Sequence, residues 1–272
     1  GNGSDEPIDL VYRVFCEPKV HNAVAIAPTY SMYKVAAEIN DVEVREVQLE
    51  EDFSLDADKL LAATDANTRL LWLCSPNNPT ANSFPTATIE RIIREFAGIV
   101  VLDEAYIDFA AEPGFLSRLG EFPNLIVLQT LSKAWGMAGL RLGLAFADPL
   151  IVATLSNVKY PYNVNGPTQQ TVLERLAGAP AAQVAEILSE RRRVAAALQP
   201  MKVVRKLYPS DANFVLVKVD EPRKVYDRLI AAGIIVRDRS RMQGCEGCLR
   251  ITIGTDAEMQ RFFTVLDEIL AH

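Results

Sequence analysis

Residues 130–143 read TLSKAWGMAGLRLG and place a hydroxyl (Ser132), a primary amine (Lys133) and a guanidinium (Arg141) in one short Gly-rich stretch. Three such groups can converge on one small anion. Gly139 and Gly143 flank Arg141, and residues without a Cβ let backbone come close to a bound group. A lysine beside phosphate ligands suits pyridoxal 5′-phosphate, held as a Schiff base by the amine. Taken alone, Ser132-Lys133 reads as an exposed lysine on a turn, because short motifs often match falsely. The rest of the chain argues for the chemistry.

The stretch follows residues 124–128 (NLIVL), an apolar run that reads as a buried strand. Lys133 then lies at the carboxyl edge of a sheet, where open α/β folds bind ligands. Other strands end in polar groups in the same way. Residues 22–26 form a strand closed by Pro28-Thr29-Tyr30, and Tyr30 there can stack on a flat ring. A helix over 32–39 and a strand over 42–49 follow. The buried strand at 68–74 runs into Ser75-Pro76-Asn77-Asn78-Pro79-Thr80, a fixed turn in which Asn78 can hydrogen-bond a ligand. After an amphipathic helix at 86–96, the strand at 99–102 closes on Asp103-Glu104-Ala105-Tyr106. A carboxylate at that place is costly to bury without a cationic partner, and a pyridinium nitrogen would be one. Near the start, Gly3-Ser4-Asp5-Glu6 opens onto a helix that Ser4 or Asp5 can cap, with Pro7 in the first turn. A Gly-rich helix N-terminus seats a phosphate through its free N–H groups and dipole.

Strands alternating with helices argue for a largely parallel sheet with these loops on one edge. Beyond the strand at 142–146 the pattern changes. A long helix spans 182–198, with Arg191, Arg192 and Arg193 as a solvated face. Shorter strands follow at 202–207, 214–217, 234–236 and 249–253, with helices at 222–232 and 257–271. The expected architecture is α/β: a mostly parallel central sheet flanked by helices, with a smaller α+β C-terminal domain. Residues 1–180 form the large cofactor-binding domain and 181–272 the small one. Arg250 alternates away from Leu249 and Ile251, and so can be directed at a substrate carboxylate.

With 272 residues, 49% hydrophobic and 23% charged, the chain has the composition of a globular protein. A net charge of 28 − 35 = −7 favours neither nucleic acid nor an anionic membrane as partner. No apolar run reaches the length of a membrane span, and no signal peptide opens the sequence. Four cysteines make no disulfide framework at this length, and a reducing cytoplasm is expected. Cys245-Glu246-Gly247-Cys248 has metal-ligand spacing. There is no second pair, and the histidines are His21 and His272, so two free thiols are expected and no metal site.

In order along the chain, GNGSDE, Pro28-Thr29-Tyr30, SPNNPT, DEAY, TLSKA-x-x-x-AGLR-x-G and LRIT-x-G resemble the class II aminotransferases. These are fold-type I pyridoxal-phosphate enzymes, and the resemblance is closest to their histidinol-phosphate aminotransferase branch. Each motif is weak alone; together they span the chain. The resemblance implies that Lys133 forms the Schiff base and shuttles the Cα proton, while Asp103 pairs with the ring nitrogen. Tyr106 and Asn78 would hydrogen-bond the ring oxygen, and Tyr30 would stack on the ring. Gly3, Ser4, Asp5, Ser132 and Arg141 would hold the cofactor phosphate, the first three mainly through backbone N–H. Arg250 would bind the carboxylate of glutamate and, in turn, the phosphate of histidinol phosphate. The implied reaction is ping-pong amino transfer between glutamate, giving 2-oxoglutarate, and imidazole acetol phosphate in histidine biosynthesis. A homodimer is implied.

Two departures stand out. Ala81 follows Asn78-Pro79-Thr80 where the family usually has glycine; if that position needs positive φ, alanine costs on the order of 1 kcal/mol. The sequence also opens inside the GNGSDE motif, so a preceding segment is expected. In the family that segment carries an arm over the substrate, an edge strand and a tyrosine reaching the neighbouring subunit's phosphate. A chain lacking it is expected to hold cofactor weakly. The alternatives are an aromatic aminotransferase, a phosphothreonine decarboxylase, or a catalytically silent dimer.

Overall fold

The computed structural model describes residues 1–178 and 180–270. The first helix, α1 (Asp5–Phe15), leads into β1 (Asn22–Ala27), α2 (Met32–Ile39), β2 (Glu43–Gln48) and α3 (Ala57–Ala62). There follow β3 (Thr68–Cys74), α4 (Thr86–Glu95), β4 (Ile99–Asp103), β5 (Leu125–Thr130) and β6 (Gly143–Phe146). These strands form one sheet in the order β2-β1-β3-β4-β5-β6, parallel except for β6, which runs antiparallel to β5. The order reverses direction between β1 and β3, and such a switch point opens a crevice at the carboxyl ends of the strands.

Strand alternation divides the core. From β3, Leu70, Trp72 and Cys74 pack with Ile8, Val11 and Tyr12 of α1 and Tyr33 of α2 on one face. Leu71 and Leu73 pack with Ile89, Ile92 and Ile93 of α4 on the other. Both faces are covered, which is why β3 reads as a continuous apolar run rather than an alternating one. Trp72 is fully buried, stacked on Tyr33 at 4.8 Å and on Tyr12 at 5.4 Å between ring centroids. Truncating an aromatic side chain in such a place costs about 3–5 kcal/mol.

The chain continues through α5 (Pro149–Val158), α6 (Gly166–Leu176) and α7 (Ala181–Leu198). A second, antiparallel sheet has the order β7-β8-β10-β9, from β7 (Val204–Leu207), β8 (Phe214–Val219), β9 (Arg237–Asp238) and β10 (Cys248–Thr252). Val194 and Leu198 of α7, α8 (Pro222–Ala231) and α9 (Asp256–Leu270) cover it with their own apolar cluster. Ala271, the end of the expected last helix, and His272 lie outside the described residues.

Three expectations need correction. The strand expected at 234–236 is displaced to β9, because only Arg237 and Asp238 reach hydrogen-bonding register with β10. The stretch 149–176 holds two helices that no element was assigned to. Arg191 is not part of a solvated face: it is half-buried and donates to the carbonyl of Ala212 at 2.7 Å and that of Phe109 at 3.4 Å.

Candidate active site

A cavity of about 490 Å³ opens at the carboxyl edge of the first sheet, lined by loops after β1, β3, β4 and β5 and by the second sheet. Nine of the residues singled out in the sequence line it: Ser4, Asp5, Tyr30, Asn78, Tyr106, Ser132, Lys133, Arg141 and, from β10, Arg250. Gly3 and Asp103 are buried and are not among its lining residues.

Asp103 ends β4 and is almost wholly buried. Its Oδ2 accepts a 2.7 Å hydrogen bond from the Tyr33 hydroxyl, and Oδ1 accepts one from the Ala105 N–H at 3.0 Å. Both donors are neutral. Loss of water therefore dominates and raises the carboxyl above its ordinary range, with Tyr33 pulling the other way. Tyr106, edge-on to Phe214, has its hydroxyl pushed up to about 12 by burial. The Lys133 amine stands over the Tyr106 ring, 5.4 Å from its centroid. Lys133 is open to the cavity, yet loss of surrounding water, and after it Arg250, hold its amine below the ordinary lysine range. An amine so placed is more often neutral, as a nucleophile or proton carrier must be.

The phosphate seat is made by two distant segments meeting. Gly3 has φ +69°, and its N–H donates to the Arg141 carbonyl at 2.9 Å. That N–H is therefore not available to a ligand, contrary to the expectation for Gly3. Arg141 itself is left-handed (φ 51°, ψ 54°). An added Cβ at Gly143 would collide with the Gly3–Ser4 backbone. So Gly143 is needed for backbone packing on the seat rather than for contact with a ligand, while Gly139 faces open space. Ser4 occupies the N-cap position of α1 but makes no side-chain cap bond. The Asp5 carboxylate instead accepts from the Tyr30 hydroxyl at 2.9 Å and lies 3.8 Å from the Arg141 guanidinium.

The sequence reading missed Arg237 and Arg239. Arg237 is the direct cross-strand partner of Arg250, so both share one face of the β9–β10 ribbon. Arg239, two residues on, lines the cavity with them. Like charges set opposite one another are destabilising unless an anion relieves them. The Nε atoms of Arg239 and Arg250 are buried without a partner among the described residues; Arg250 is otherwise held by its Nη1–Asn78 Oδ1 bond at 2.7 Å. The period-two arginines in Val236-Arg237-Asp238-Arg239 were the available signal.

A buried carboxylate lacking a cation, an amine of lowered basicity, a glycine-built anion seat and a free cavity together fit a phosphorylated pyridine aldehyde. Among the described residues, no three His, Cys, Asp or Glu side chains are placed to hold a metal ion. No helix there is long and apolar enough to cross a membrane.

Residues 1–266 match the family model described as Aminotransferase class I and II. The chain is 55% identical over 260 residues to a histidinol-phosphate aminotransferase of Parabacteroides distasonis, covering 95% of this chain and 75% of that protein. The chain belongs to the histidinol-phosphate aminotransferase family. It is an aminotransferase, of the pyridoxal-phosphate-dependent kind. The fold agrees: a histidinol-phosphate aminotransferase from Clostridium acetobutylicum superposes with a TM-score of 0.91 at 22% identity, over 99% of this chain and 82% of that one. The family enzyme from Sinorhizobium meliloti, solved in complex with pyridoxal-5′-phosphate, gives a TM-score of 0.87 at 25% identity, over 100% of this chain and 76% of that one.

Proposed function

We propose that this chain moves an amino group between glutamate and imidazole acetol phosphate, in ping-pong fashion, on pyridoxal 5′-phosphate. The observation that carries the reading is one cavity holding both the Lys133 amine and the arginines of the β9–β10 ribbon, with the Nε atoms of Arg239 and Arg250 buried and lacking a partner among the described residues. When bound, the cofactor supplies a carbonyl for the amino group and a ring that withdraws electrons from Cα.

The protein's residues do the rest. Lys133 would hold the cofactor through its amine, and the same amine would take the Cα proton and return it. Asp103 would pair with the ring nitrogen and favour a positive charge there. Asn78 uses its Oδ1 on Arg250, which leaves the amide N–H to donate to the ring oxygen alongside Tyr106. Tyr30, which lines the cavity, would cover one ring face. The N–H groups of Ser4 and Asp5 at the start of α1, with Ser132 and Arg141, hold the phosphate. Gly3 contributes shape alone. Arg250 binds the carboxylate of glutamate and the phosphate of the other substrate. Residues 1–180 serve as the large cofactor-binding domain and 181–272 as the small C-terminal one. Four free thiols suit a reducing cytoplasm.

Lys133→Ala tests the assignment. Borohydride should fix cofactor to Lys133 in the wild-type protein and to no residue in the variant. An adduct on another lysine, found by mass spectrometry, would refute it.

A second copy of the chain completes the assembly in this reading. Leu150, Tyr160, Tyr162 and Leu173 lie between 71% and 93% exposed along α5, α6 and their connection. Large apolar side chains exposed in one stretch of chain suit an interaction surface, and two-fold homodimers are the commonest closed assembly. Sedimentation at micromolar concentration should show a dimer; monomer alone would contradict it.

A further inference from the structure

The cysteine pair in the Cys245-Glu246-Gly247-Cys248 turn has no place in amino transfer. Both thiols are free and fully buried, packed against Phe53, Tyr208 and Leu216. The N–H of Cys248 donates to the Cys245 carbonyl at 2.9 Å, which closes a β-turn with the two cysteines at its ends. Such a turn holds its end Cα atoms under about 7 Å apart. A disulfide needs about 4.4–6.8 Å. The backbone is therefore already near the geometry that a bond between the thiols requires. The metal alternative lacks ligands: the pair has no third His, Cys, Asp or Glu among the described residues.

We propose that Cys245 and Cys248 are a reversible dithiol–disulfide pair, closed by exchange with a small disulfide such as oxidised glutathione, and that closure acts on the adjoining arginine ribbon. The Cys248 thiolate attacks one sulfur of the small disulfide and releases one thiol. The Cys245 thiolate then attacks Cys248 Sγ and releases the second. Two protein thiols are oxidised and one small disulfide is reduced to two thiols, so atoms and electrons balance. Cys248 is the better first attacker, because its hydrogen bond with Cys245, and less so Lys218, hold its thiol below the ordinary range. Access comes from the loop itself. Gly244 and Gly247 both have φ +80°, and Glu246 between the thiols is exposed. Surface turns open locally far more often than the whole fold does.

The link to the cavity is direct. The Cys248 carbonyl accepts the Arg239 N–H at 2.9 Å, and Arg250 lies two residues beyond Cys248 on β10. A bond that tightens the turn moves the backbone that aims both arginines. This second part rests on the proposed anion-binding role of the cavity.

The test equilibrates the full chain with graded ratios of oxidised to reduced glutathione, quenches with acid and alkylates. The peptide holding both cysteines should become unalkylated and two hydrogens lighter, and dithiothreitol should reverse this. Cys245→Ser and Cys248→Ser should each show no internal bond. In parallel, calorimetry measures inorganic phosphate binding, expected to weaken several-fold in the oxidised wild type and not in similarly treated Cys248→Ser. Full alkylation at every ratio, or glutathione adducts in place of the internal bond, would overturn the pair. Equal phosphate affinity in both forms would overturn the coupling. Phosphate binding to neither form would instead count against the anion-binding reading, while the alkylation map still decides the disulfide.

Discussion

Tyr33 Oη donates a 2.7 Å hydrogen bond to Asp103 Oδ2, joining the start of α2 to the end of β4 across 70 residues. The Tyr33 ring cannot swing away, since it is stacked on Trp72 and meets Tyr30 edge-on at 5.7 Å. The bond steadies the charged form of a carboxylate that burial disfavours. Tyr33→Phe keeps the ring and removes the bond. Hydrogen bonds to charged groups contribute about 1.5–3 kcal/mol. If that is felt at the ring nitrogen, exchange of the substrate Cα hydrogen should slow about 10- to 100-fold. Asp103→Ala should slow it further and leave cofactor attached to Lys133. A Phe variant that exchanges at the wild-type rate would remove Tyr33 from the mechanism.

Lys133 makes a prediction about stability without cofactor. Its folded proton affinity is lowered, so between the folded value and the unfolded value of about 10.5 the unfolded chain holds more protons. Stability then rises with pH through that window. Below it, the cost of keeping the amine charged is fully present. Lys133→Met lacks the titration. Urea unfolding of the two proteins should therefore show the wild type gaining on the variant as pH climbs from neutral towards about 10. A constant difference would mean that the amine is not perturbed.

Ala81 has φ +72° and is fully buried. The left-handed region costs an L-residue about 1–2 kcal/mol. Ala81→Gly relieves that strain, but it loses a buried methyl worth about 0.8 kcal/mol and gains unfolded-state entropy worth about 0.4–1 kcal/mol. The terms nearly cancel, and the glycine variant should unfold within about 1 kcal/mol of wild type. Ala81→Val has no such offset and should cost more than about 2 kcal/mol, through strain and overpacking together. Denaturant midpoints would check both; a stable valine variant would contradict the backbone reading.

What the sequence disclosed followed physical locality. Asp103, Lys133 and Tyr30 sit just past buried apolar runs, and a strand's end can be read from residues within it. Arg250 was legible because β10 alternates over five residues. Arg237 and Arg239 were not, because β9 is two residues long and carries no pattern of its own; its register with Arg250 is a long-range fact. The helices α5 and α6 escaped because Leu150 and Leu173 face outward and blur the apolar stripe. Arg191 looked solvated because nothing local announces the two carbonyls it meets, 21 and 82 residues away. Positive φ at Ala81 was raised only as a condition, from the glycine the family usually has there and not from the neighbouring residues.

The meeting of Gly3 with Arg141 and Gly143 has a kinetic corollary. These contacts join backbone segments about 140 residues apart, with β1, β3, β4 and β5 assembled between them. Contacts of such separation carry loop-closure entropy that local structure does not offset until the intervening strands have paired. Refolding from denaturant should therefore regain helical signal before it regains the anion seat. A chain caught midway would hold most of its secondary structure and bind nothing.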